Sequence, residues 1–269
     1  MAIAPPTSKR ERLREILAEH APLVIAYSGG VDSALLLAEA HRLLGERALG
    51  VIADSPSLPR AALAEALAVA RAIGAHVEVV KTLELDNPDY AANPPNRCYF
   101  CKAELFQRLD SLAHGRGYHA IAYGENADDM QQDRPGRVAA TEFRILAPLR
   151  DAGLTKAEIR EMSRELGLPT AEAPAQPCLS SRIPWGTPVT TDALGMVERG
   201  EEQMRALGFR IFRVRHVVES GRPPRAKVLV APAELEHAQA VSTQIEQGLQ
   251  AAGYTAVEID PAGYRGPSL

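Results

Sequence analysis

The stretch Leu23-Val24-Ile25-Ala26-Tyr27-Ser28-Gly29-Gly30-Val31-Asp32-Ser33 decides the fold. Its first five residues form a short apolar run between a proline and two glycines, which is typical of a buried strand. Residues 31–44 then have the apolar spacing of a helix. Because glycine permits a sharp turn and a close approach of the backbone to a phosphate, this stretch predicts a βα unit with an anion-binding turn.

The pattern continues in alternation along the first half of the chain. We predict further strands over 48–53, 75–80 and 119–123, and helices over 8–20, 59–73, 98–116 and 155–166. Thr155 and Glu158 form a capping-box pair at the start of the last of these helices. Strands that alternate with helices indicate an α/β protein with a parallel, doubly wound sheet.

The second half of the chain has a different order of elements. Residues 168–188 lose periodicity and contain five prolines, as a linker or functional loop does. Beyond them we predict a smaller α+β domain, with helices over 191–207 and 233–252 and strands over 210–215, 226–230 and 256–259. We therefore divide the 269 residues into a domain over 1–180 and a substrate-binding or oligomerisation domain over 181–269.

The net charge of −4 argues against a dedicated nucleic-acid binder, although the charge is uneven. The segment from Arg205 to Lys227 contains seven basic residues but only one acidic residue, Glu219. This stretch is either a site for a phosphorylated ligand or a solvated face. No apolar run is long enough for a membrane span, residues 1–14 do not resemble a signal peptide, and three cysteines do not make a disulfide framework. We expect a cytoplasmic protein.

The turn after the first strand has the residues that nucleotide phosphates require. Gly29 and Gly30 open the turn, Ser28 and Ser33 offer hydroxyl donors, and Asp32 is placed to hold Mg²⁺. The sequence is neither G-x-x-x-x-G-K-[ST] nor G-x-G-x-x-G. Because ligands of doubly wound sheets lie at the carboxyl ends of the strands, we add four candidate contacts that follow later strands. They are Asp54, Gly124, Asn126 and Asp129.

The three cysteines are Cys98, Cys101 and Cys178. The first two form a C-x-x-C pair on one side of a predicted helical turn, whose residue types alone fit a redox pair, a metal site or chance. A zinc site would need a fourth ligand, for which His114 or His119 is available. Three thiolates also suit an iron–sulfur cluster with one iron left for sulfide or substrate. Three unrelated buried thiols are the remaining alternative.

Several segments together carry a resemblance to a known family. They are the SGGVDS turn, which resembles the PP-loop of ATP pyrophosphatases, Asp54-Ser55-Pro56-Ser57-Leu58-Pro59, Arg97-Cys98-Tyr99-Phe100-Cys101-Lys102, Asn126-Ala127-Asp128-Asp129, Asp133-Arg134-Pro135-Gly136 and Cys178-Leu179-Ser180-Ser181-Arg182-Ile183-Pro184-Trp185-Gly186-Thr187-Pro188. From about residue 8 to Arg265 the chain resembles the LarE family, and the CLSSRIPxGTP segment is its most specific part.

The resemblance implies an ATP-dependent sulfur transferase for nickel-pincer nucleotide biosynthesis in lactate racemase maturation. Such an enzyme adenylates the carboxylates of pyridinium-3,5-biscarboxylic acid mononucleotide, releases pyrophosphate and installs sulfur as thiocarboxylate. It implies ATP and Mg²⁺ as cofactors and, for a chain with three cysteines, a [4Fe-4S] cluster on those cysteines that carries the sulfide. It also implies a homo-oligomer, with a hexamer as one known form, and no nucleic-acid or membrane partner.

The resemblance also assigns roles to individual residues. Cys178, Cys98, Cys101 and Asp32 are the expected catalytic residues. The expected contacts to the small nucleotide substrate are Ser180, Ser181, Arg182, Arg213, Arg215, Arg265 and Lys102. Glu201 or Glu202 is a further, weaker metal candidate. The segment 217–224 departs from the family pattern.

Three other functions share some of these features. An iron–sulfur PP-loop tRNA thiolase has the same loop and three cysteines, and the basic stretch favours it, whereas the net charge and the few aromatic residues do not. A PP-loop amidotransferase or synthetase has the loop but needs no cysteines. A nucleotide-binding module with a structural metal at the cysteines would not be an enzyme.

Overall fold

The computed structural model describes residues 8–131, 135–174, 176–219 and 221–264. The chain divides into two compact units. The first unit contains the chain up to Glu84 and residues 96–176, and the second contains residues 85–95 and the chain from Pro177 onward. Among the described residues no helix is both long and apolar enough to cross a membrane.

The first unit is built on a four-stranded parallel sheet. Its strands are β1 (Leu23–Ala26), β2 (Ala48–Asp54), β3 (Val77–Lys81) and β4 (Ala120–Tyr123). Their order in the sheet is β3-β2-β1-β4, so the chain starts in the middle and moves first to one side and then to the other. The predicted doubly wound parallel sheet is confirmed.

The helices complete both units. In chain order they are α1 (Lys9–Glu19), α2 (Val31–Leu44), α3 (Arg60–Ile73), α4 (Pro88–Ala91), α5 (Arg97–Arg116), α6 (Pro135–Glu142), α7 (Pro148–Asp151), α8 (Lys156–Glu165), α9 (Thr191–Ala206), α10 (Leu235–Ala240) and α11 (Ser242–Ala251). The predicted capping box at the start of α8 is present, since the Thr155 hydroxyl accepts from the Glu158 amide and Glu158 accepts from the Thr155 amide.

Alternating residues of the strands bury the two faces of the parallel sheet. Leu23 and Ile25 of β1 pack with α1, α2, α3, α7 and α8 on one face. Val24, between them, packs with α5 and α6 on the other face. Burial on both faces explains why these strands read as continuous apolar runs. The carboxyl ends of the strands are thereby left as the open edge on which a ligand site can form.

The second unit contains the smaller sheet that the sequence predicts. Its strands are β5 (Phe212–Val217), β6 (Arg225–Val230) and β7 (Val257–Ile259), with β6 between an antiparallel and a parallel neighbour. The inward residues of β5 and β6 pack with α9 and α11 in a separate core. The predicted α+β class of this region is confirmed.

Two predicted elements of the second unit differ from the structure by more than one residue. The strand predicted over 210–215 begins two residues later, because the amides of Arg210 and Ile211 are bound by the Glu234 carboxylate. The helix predicted over 233–252 is broken into a 3-10 turn, α10 and α11. The break falls at Val241, a β-branched residue of weak helix propensity whose φ of −107° ends α10.

Candidate active site

The SGGVDS turn forms a hydrogen-bonded loop between β1 and α2. The Ser33 hydroxyl donates to the Gly30 carbonyl (3.1 Å) and accepts from the Ser28 amide (3.1 Å), and the two serine hydroxyls lie 3.0 Å apart. Gly30 caps α2 without a side-chain hydrogen bond. The positive end of a 14-residue helix is therefore presented beside two hydroxyls, which is the arrangement that binds phosphate.

Gly29 is required by both conformation and space. Its φ of +80° lies in the left-handed region, and a Cβ added there would be 2.5 Å from the Cβ of Ala66 on α3. Gly124, after β4, faces the same turn, since a Cβ on it would lie 2.8 Å from the Ser33 amide nitrogen. The two glycines let α3 and the end of β4 approach the loop.

Asp32, predicted to hold Mg²⁺, lies among polar groups from two other segments. Its carboxylate accepts from the Lys156 ammonium at 2.6 Å and from the Asn126 amide at 3.4 Å. Lys156 begins α8 and was not predicted from the sequence. A carboxylate, an amide and an ammonium thus meet beside the phosphate turn, where they can hold a cation and the charge of a triphosphate.

The predicted strand-end residues lie where the parallel sheet places them. The side-chain oxygen of Asn126 accepts from the backbone amides of Asp128 and Asp129 (2.9 and 3.2 Å). The Asp129 carboxylate in return accepts from the backbone amide of Asn126. After β2, Asp54 pairs with Arg60 at 2.5 Å. The Ser55 hydroxyl donates to buried Glu84, which fixes the turn that follows Asp54. Asp54, Gly124, Asn126 and Asp129 therefore surround the carboxyl edge of the sheet.

Glu125, next to these contacts, is buried and anchors the loop. It accepts from Arg137 and from Arg150, each at 2.8 Å. Burial acts to raise the pKa of Glu125, but the hydrogen bond from Arg137 and the charges of both arginines outweigh it and hold the pKa below its ordinary value. The loop after β4 is thus fixed to α6 and α7 by an ionised carboxylate.

Lys102, a predicted substrate contact, lies on α5 in the first unit. Its ammonium lies 4.6 Å from the centre of the Tyr123 ring, at the end of β4. A Cβ on Gly136 of α6 would come within 2.6 Å of the Lys102 side chain, so α6 packs closely on the lysine stem. This cation therefore lies at the same edge of the sheet as the phosphate turn.

Cys98 and Cys101 occupy the first turn of α5 in the first unit. Cys98 is exposed and Cys101 is half-buried, as is Cys178, so the alternative of three unrelated buried thiols is wrong. His114 stands 13 residues further along the same helix, about 20 Å from Cys101. A zinc ion on the C-x-x-C pair therefore cannot use His114. The His119 ring pairs with the carbonyl oxygen of Ala21, which precedes β1. His119 therefore lies at the amino ends of the strands, opposite the edge that carries the phosphate turn.

The second unit holds Cys178 at the start of a 3-10 turn over Leu179–Arg182. The Ser181 hydroxyl donates to the Cys178 carbonyl at 2.7 Å, and the buried Ser180 hydroxyl lies 2.8 Å from the Tyr90 hydroxyl. Arg182 is buried and paired with Glu201 of α9 at 2.7 Å. Of the predicted residues, Ser181 and Arg182 thus bind the Cys178 carbonyl, whereas the Ser180 hydroxyl contacts Tyr90.

Asn93 organises the segment that follows the cysteine, although no sequence motif pointed to it. It is buried with φ of +56°, and its side-chain amide donates to the carbonyls of Ile183, Pro184 and Thr187. The turn that it holds carries Trp185, which is 70% exposed. Asn lies in a left-handed conformation more readily than most residues, which is the one local signal that could have identified this position.

The predicted phosphate-binding arginines lie on β5. Burial lowers the pKa of Arg213, and the nearby charge of Arg182 lowers it further. Its guanidinium lies 4.9 Å from the centre of the Tyr264 ring. Arg215, two residues on, is exposed on the same face of the strand. Arg265 lies outside the described residues, as do Asp133 and Arg134 of the family segment. Glu202 is exposed on α9.

The donor sets differ in how well they fit the two implied metal groups. Mg²⁺ is commonly held by one or two carboxylates together with phosphate oxygens, so Asp32 and its neighbours fit it. In the described part of the chain, no three His, Cys, Asp or Glu side chains are grouped as a metal site would require. The [4Fe-4S] cluster on the three cysteines therefore stays a prediction.

Comparison with known proteins agrees with this geometry. No family model matches the chain. An uncharacterized protein of Synechocystis is 42% identical over 264 residues, 97% of each chain. The pyridinium-3,5-bisthiocarboxylic acid mononucleotide synthase of Lactiplantibacillus plantarum, LarE, is 29% identical over 259 residues, 96% of this chain and 92% of the synthase.

The chain belongs to one family with the Synechocystis protein and is homologous to LarE. A more distant relative belongs to the glutamine-hydrolyzing GMP synthase of Methanocella arvoryzae and is 28% identical over 188 residues, 65% of this chain and 58% of that protein. The LarE homologue thus has the PP-loop ATP pyrophosphatase fold, and its relatives support an ATP-dependent enzyme. The iron–sulfur branch of the sequence interpretation stays a prediction.

Proposed function

We propose that this LarE homologue is an ATP-dependent sulfur transferase acting on pyridinium-3,5-biscarboxylic acid mononucleotide. The observation that carries the proposal is the full-length similarity to the synthase whose name describes the bisthiocarboxylic product. The residues give this similarity a chemical basis. In the proposed reaction the phosphate turn binds the ATP that activates a carboxylate, and the cysteines supply sulfur.

The first step is adenylation of a substrate carboxylate. A carboxylate oxygen attacks the α-phosphorus of ATP, the bond to the bridging oxygen breaks, and pyrophosphate leaves with that electron pair. The N-terminus of α2, Ser28 and Ser33 stabilise the charge that develops on the leaving phosphates. Asp32 would hold Mg²⁺, which supplies further charge neutralisation when bound, and Asn126 and Lys156 lie beside it.

The second step replaces the adenylate with sulfur. A thiolate is a strong nucleophile, and AMP is a far better leaving group than oxide. In our proposal the Cys178 thiolate attacks the acyl carbon, a C–S bond forms and AMP leaves. Removal of the Cα proton of Cys178 then breaks the bond between its Cβ and sulfur, which leaves the thiocarboxylate on the substrate and dehydroalanine in the chain.

The phosphate of the substrate nucleotide requires cations, and β5 offers them. Arg213 and Arg215 lie on one face of the strand in the same unit as Cys178. Arginine binds phosphate through paired N–H donors, so two arginines two residues apart on a strand make a suitable phosphate contact. Lys102 and Arg265 remain proposed substrate contacts.

A sulfide carried on a cluster of Cys98, Cys101 and Cys178 is the form of sulfur supply that the resemblance implies. No step above runs through such a cluster. Iron and sulfide analysis of anaerobically reconstituted protein tests this branch. About four irons per chain, lost in Cys178→Ala, would support the cluster over donation by the cysteine itself.

Pyrophosphate release tests the adenylation step directly. The purified protein with ATP and Mg²⁺ should release pyrophosphate when the biscarboxylic mononucleotide is added, and not with tRNA. Cys178→Ala should retain this release, because adenylation precedes attack by sulfur, whereas Asp32→Ala should lower it by about 100-fold or more. Release that depends on tRNA or on ammonia would support one of the other PP-loop functions instead.

A further inference from the structure

We infer that Arg182 and Glu201 form a clamp that positions Cys178, and that Arg182 does so by binding the Cys178 backbone rather than the substrate. This inference rests in part on the proposed function, in which Cys178 supplies sulfur. The two residues are called the Arg182–Glu201 clamp below. The contacts described below lie within the second unit.

One edge of the Arg182 guanidinium is occupied by Glu201. The Nε and Nη2 atoms donate to the two carboxylate oxygens at 2.7 and 3.0 Å, which is a paired, charge-assisted geometry. Both side chains are buried, with 4% and 2% of their surface exposed. The pair fixes the plane of the guanidinium, and this plane determines where the third nitrogen points.

The third nitrogen, Nη1, points at the backbone around the cysteine. It donates to the Pro177 carbonyl (2.6 Å), the Cys178 carbonyl (2.9 Å) and the Ser181 hydroxyl (2.9 Å). The Cys178 carbonyl also accepts from the Ser181 amide at 3.0 Å and from the Ser181 hydroxyl at 2.7 Å. Three donors therefore hold the carbonyl of the residue that supplies sulfur in the proposed function.

The clamp also connects the cysteine to the strand that carries the proposed phosphate site. Glu201 accepts from the Val214 amide of β5 at 3.4 Å, next to Arg213. The short helix that begins after Cys178 contacts both α9 and β5. The buried Arg182–Glu201 pair therefore links the Cys178 backbone to the strand that carries Arg213 and Arg215.

Stability alone is a weak reason for such a pair. Burying two charges costs several kcal/mol of desolvation, and well-packed apolar replacements of a buried pair are often neutral or stabilising. The same replacement would remove the donor to the Cys178 carbonyl. A variant in which both residues are apolar therefore separates a positioning role from a structural one.

The test uses a full-length double variant that carries both Arg182→Met and Glu201→Met. Its control is the single variant Arg205→Ala. Arg205 also approaches Glu201, at 3.7 Å, but its side chain is 41% exposed, so it is an exposed partner of the same carboxylate. Two quantities are measured in each protein. They are the rate of iodoacetamide alkylation of Cys178 relative to Cys98 of the same molecule, by peptide mass spectrometry, and the kcat and KM of sulfur transfer.

The double variant should fold. Its rate of alkylation at Cys178 relative to Cys98 should differ from that of the wild type by roughly five- to tenfold, since the donor that fixes the Cys178 backbone is lost. Its kcat should fall by about 100-fold with little change in the KM for ATP. Arg205→Ala should change neither quantity appreciably. A folded double variant with an unchanged alkylation ratio and unchanged kcat would overturn the clamp.

Two further controls keep the inference testable. If the double variant does not fold, Glu201→Gln and amide hydrogen exchange at Ser181 replace it, and exchange as slow as in the wild type would overturn the clamp. If the wild type does not transfer sulfur, the proposed function fails but the alkylation ratio still tests the clamp. The two failures are therefore distinguishable.

Discussion

At the residue scale, the phosphate turn depends on the absence of a side chain at Gly29. We predict that Gly29→Ala lowers ATP affinity by about 100-fold or more, because a Cβ only 2.5 Å from that of Ala66 would displace the turn. Isothermal titration calorimetry measures the affinity. The left-handed φ adds about 1–2 kcal/mol of strain to the cost of the clash.

Two matched variants separate the clash from the strain. Gly45→Ala has a comparable φ of +59° with nothing within 4 Å of the added Cβ, so it should lose stability but bind ATP normally. Ala66→Gly in the Gly29→Ala background should restore part of the affinity, since it removes the clash alone. Wild-type affinity in Gly29→Ala would show that the turn does not bind phosphate.

At the element scale, α1 and α2 are joined by a buried carboxylate. Glu39 is fully buried and accepts from Arg10 at 2.6 Å and Arg14 at 3.0 Å. Replacing both arginines with Met should lower the free energy of unfolding by about 3–5 kcal/mol, because the charge of Glu39 is left buried and unpaired. Urea unfolding followed by circular dichroism measures this loss.

The control for this prediction is another arginine on α1. Arg12 pairs with Glu15 at the exposed surface, so Arg12→Ala should cost about 0–1 kcal/mol. Adding Glu39→Gln to the double variant should recover part of the lost stability, since it removes the buried charge. Equal losses for the double variant and Arg12→Ala would contradict the argument.

The capping box of α8 gives a pH dependence with a definite sign. Hydrogen bonds from Lys9 and then from Thr155 lower the pKa of Glu158 from 4.5 to about 2. A carboxyl group with a lowered pKa stabilises the fold above pH 4.5, and this contribution is lost as the pH falls from 4.5 toward 2. Glu158→Gln should therefore reduce the loss of stability between about pH 6 and about pH 2.5.

Urea midpoints across this pH range measure the effect. Glu161→Gln, at an exposed position on the same helix, is the matched control for removal of one carboxylate from α8. An identical pH dependence in Glu158→Gln and the wild type would mean that the capping box does not contribute through its charge.

The elements that the sequence predicts well are those with local causes. The turn after β1 needs glycine at Gly29 for its own φ, and the start of α8 needs Thr155 and Glu158 three residues apart. The residues that sequence reasoning missed act over longer distances. Lys156 reaches Asp32 124 positions away, and Asn93 reaches the turn at Pro184 91 positions away. Periodicity and capping rules cannot indicate such contacts.

The partners of a charged side chain are harder to predict from sequence than its position. The resemblance implies a substrate contact for Arg182, whereas our inference assigns it a positioning role. In the structure its Nε, Nη1 and Nη2 donate to Glu201, Pro177, Cys178 and Ser181. A sequence motif fixes which residue types occur together, but the partner of a buried charge depends on the folded chain around it.

At the scale of the whole molecule, the chain combines two kinds of site in two units. The first unit contains the phosphate turn with Asp32 and Lys156, and the second contains Cys178, the Arg182–Glu201 clamp and Arg213. Activation of a carboxylate by ATP and attack by sulfur are successive steps of the proposed reaction.

Mass spectrometry of the product and the protein after one turnover tests this account most directly. The protein is incubated with ATP, Mg²⁺ and pyridinium-3,5-biscarboxylic acid mononucleotide. We predict a product whose mass shows oxygen replaced by sulfur, formed with AMP and pyrophosphate and abolished in Cys178→Ala. A protein that consumes ATP with this substrate but leaves it without sulfur, or that forms the same product in Cys178→Ala, would contradict the central claim.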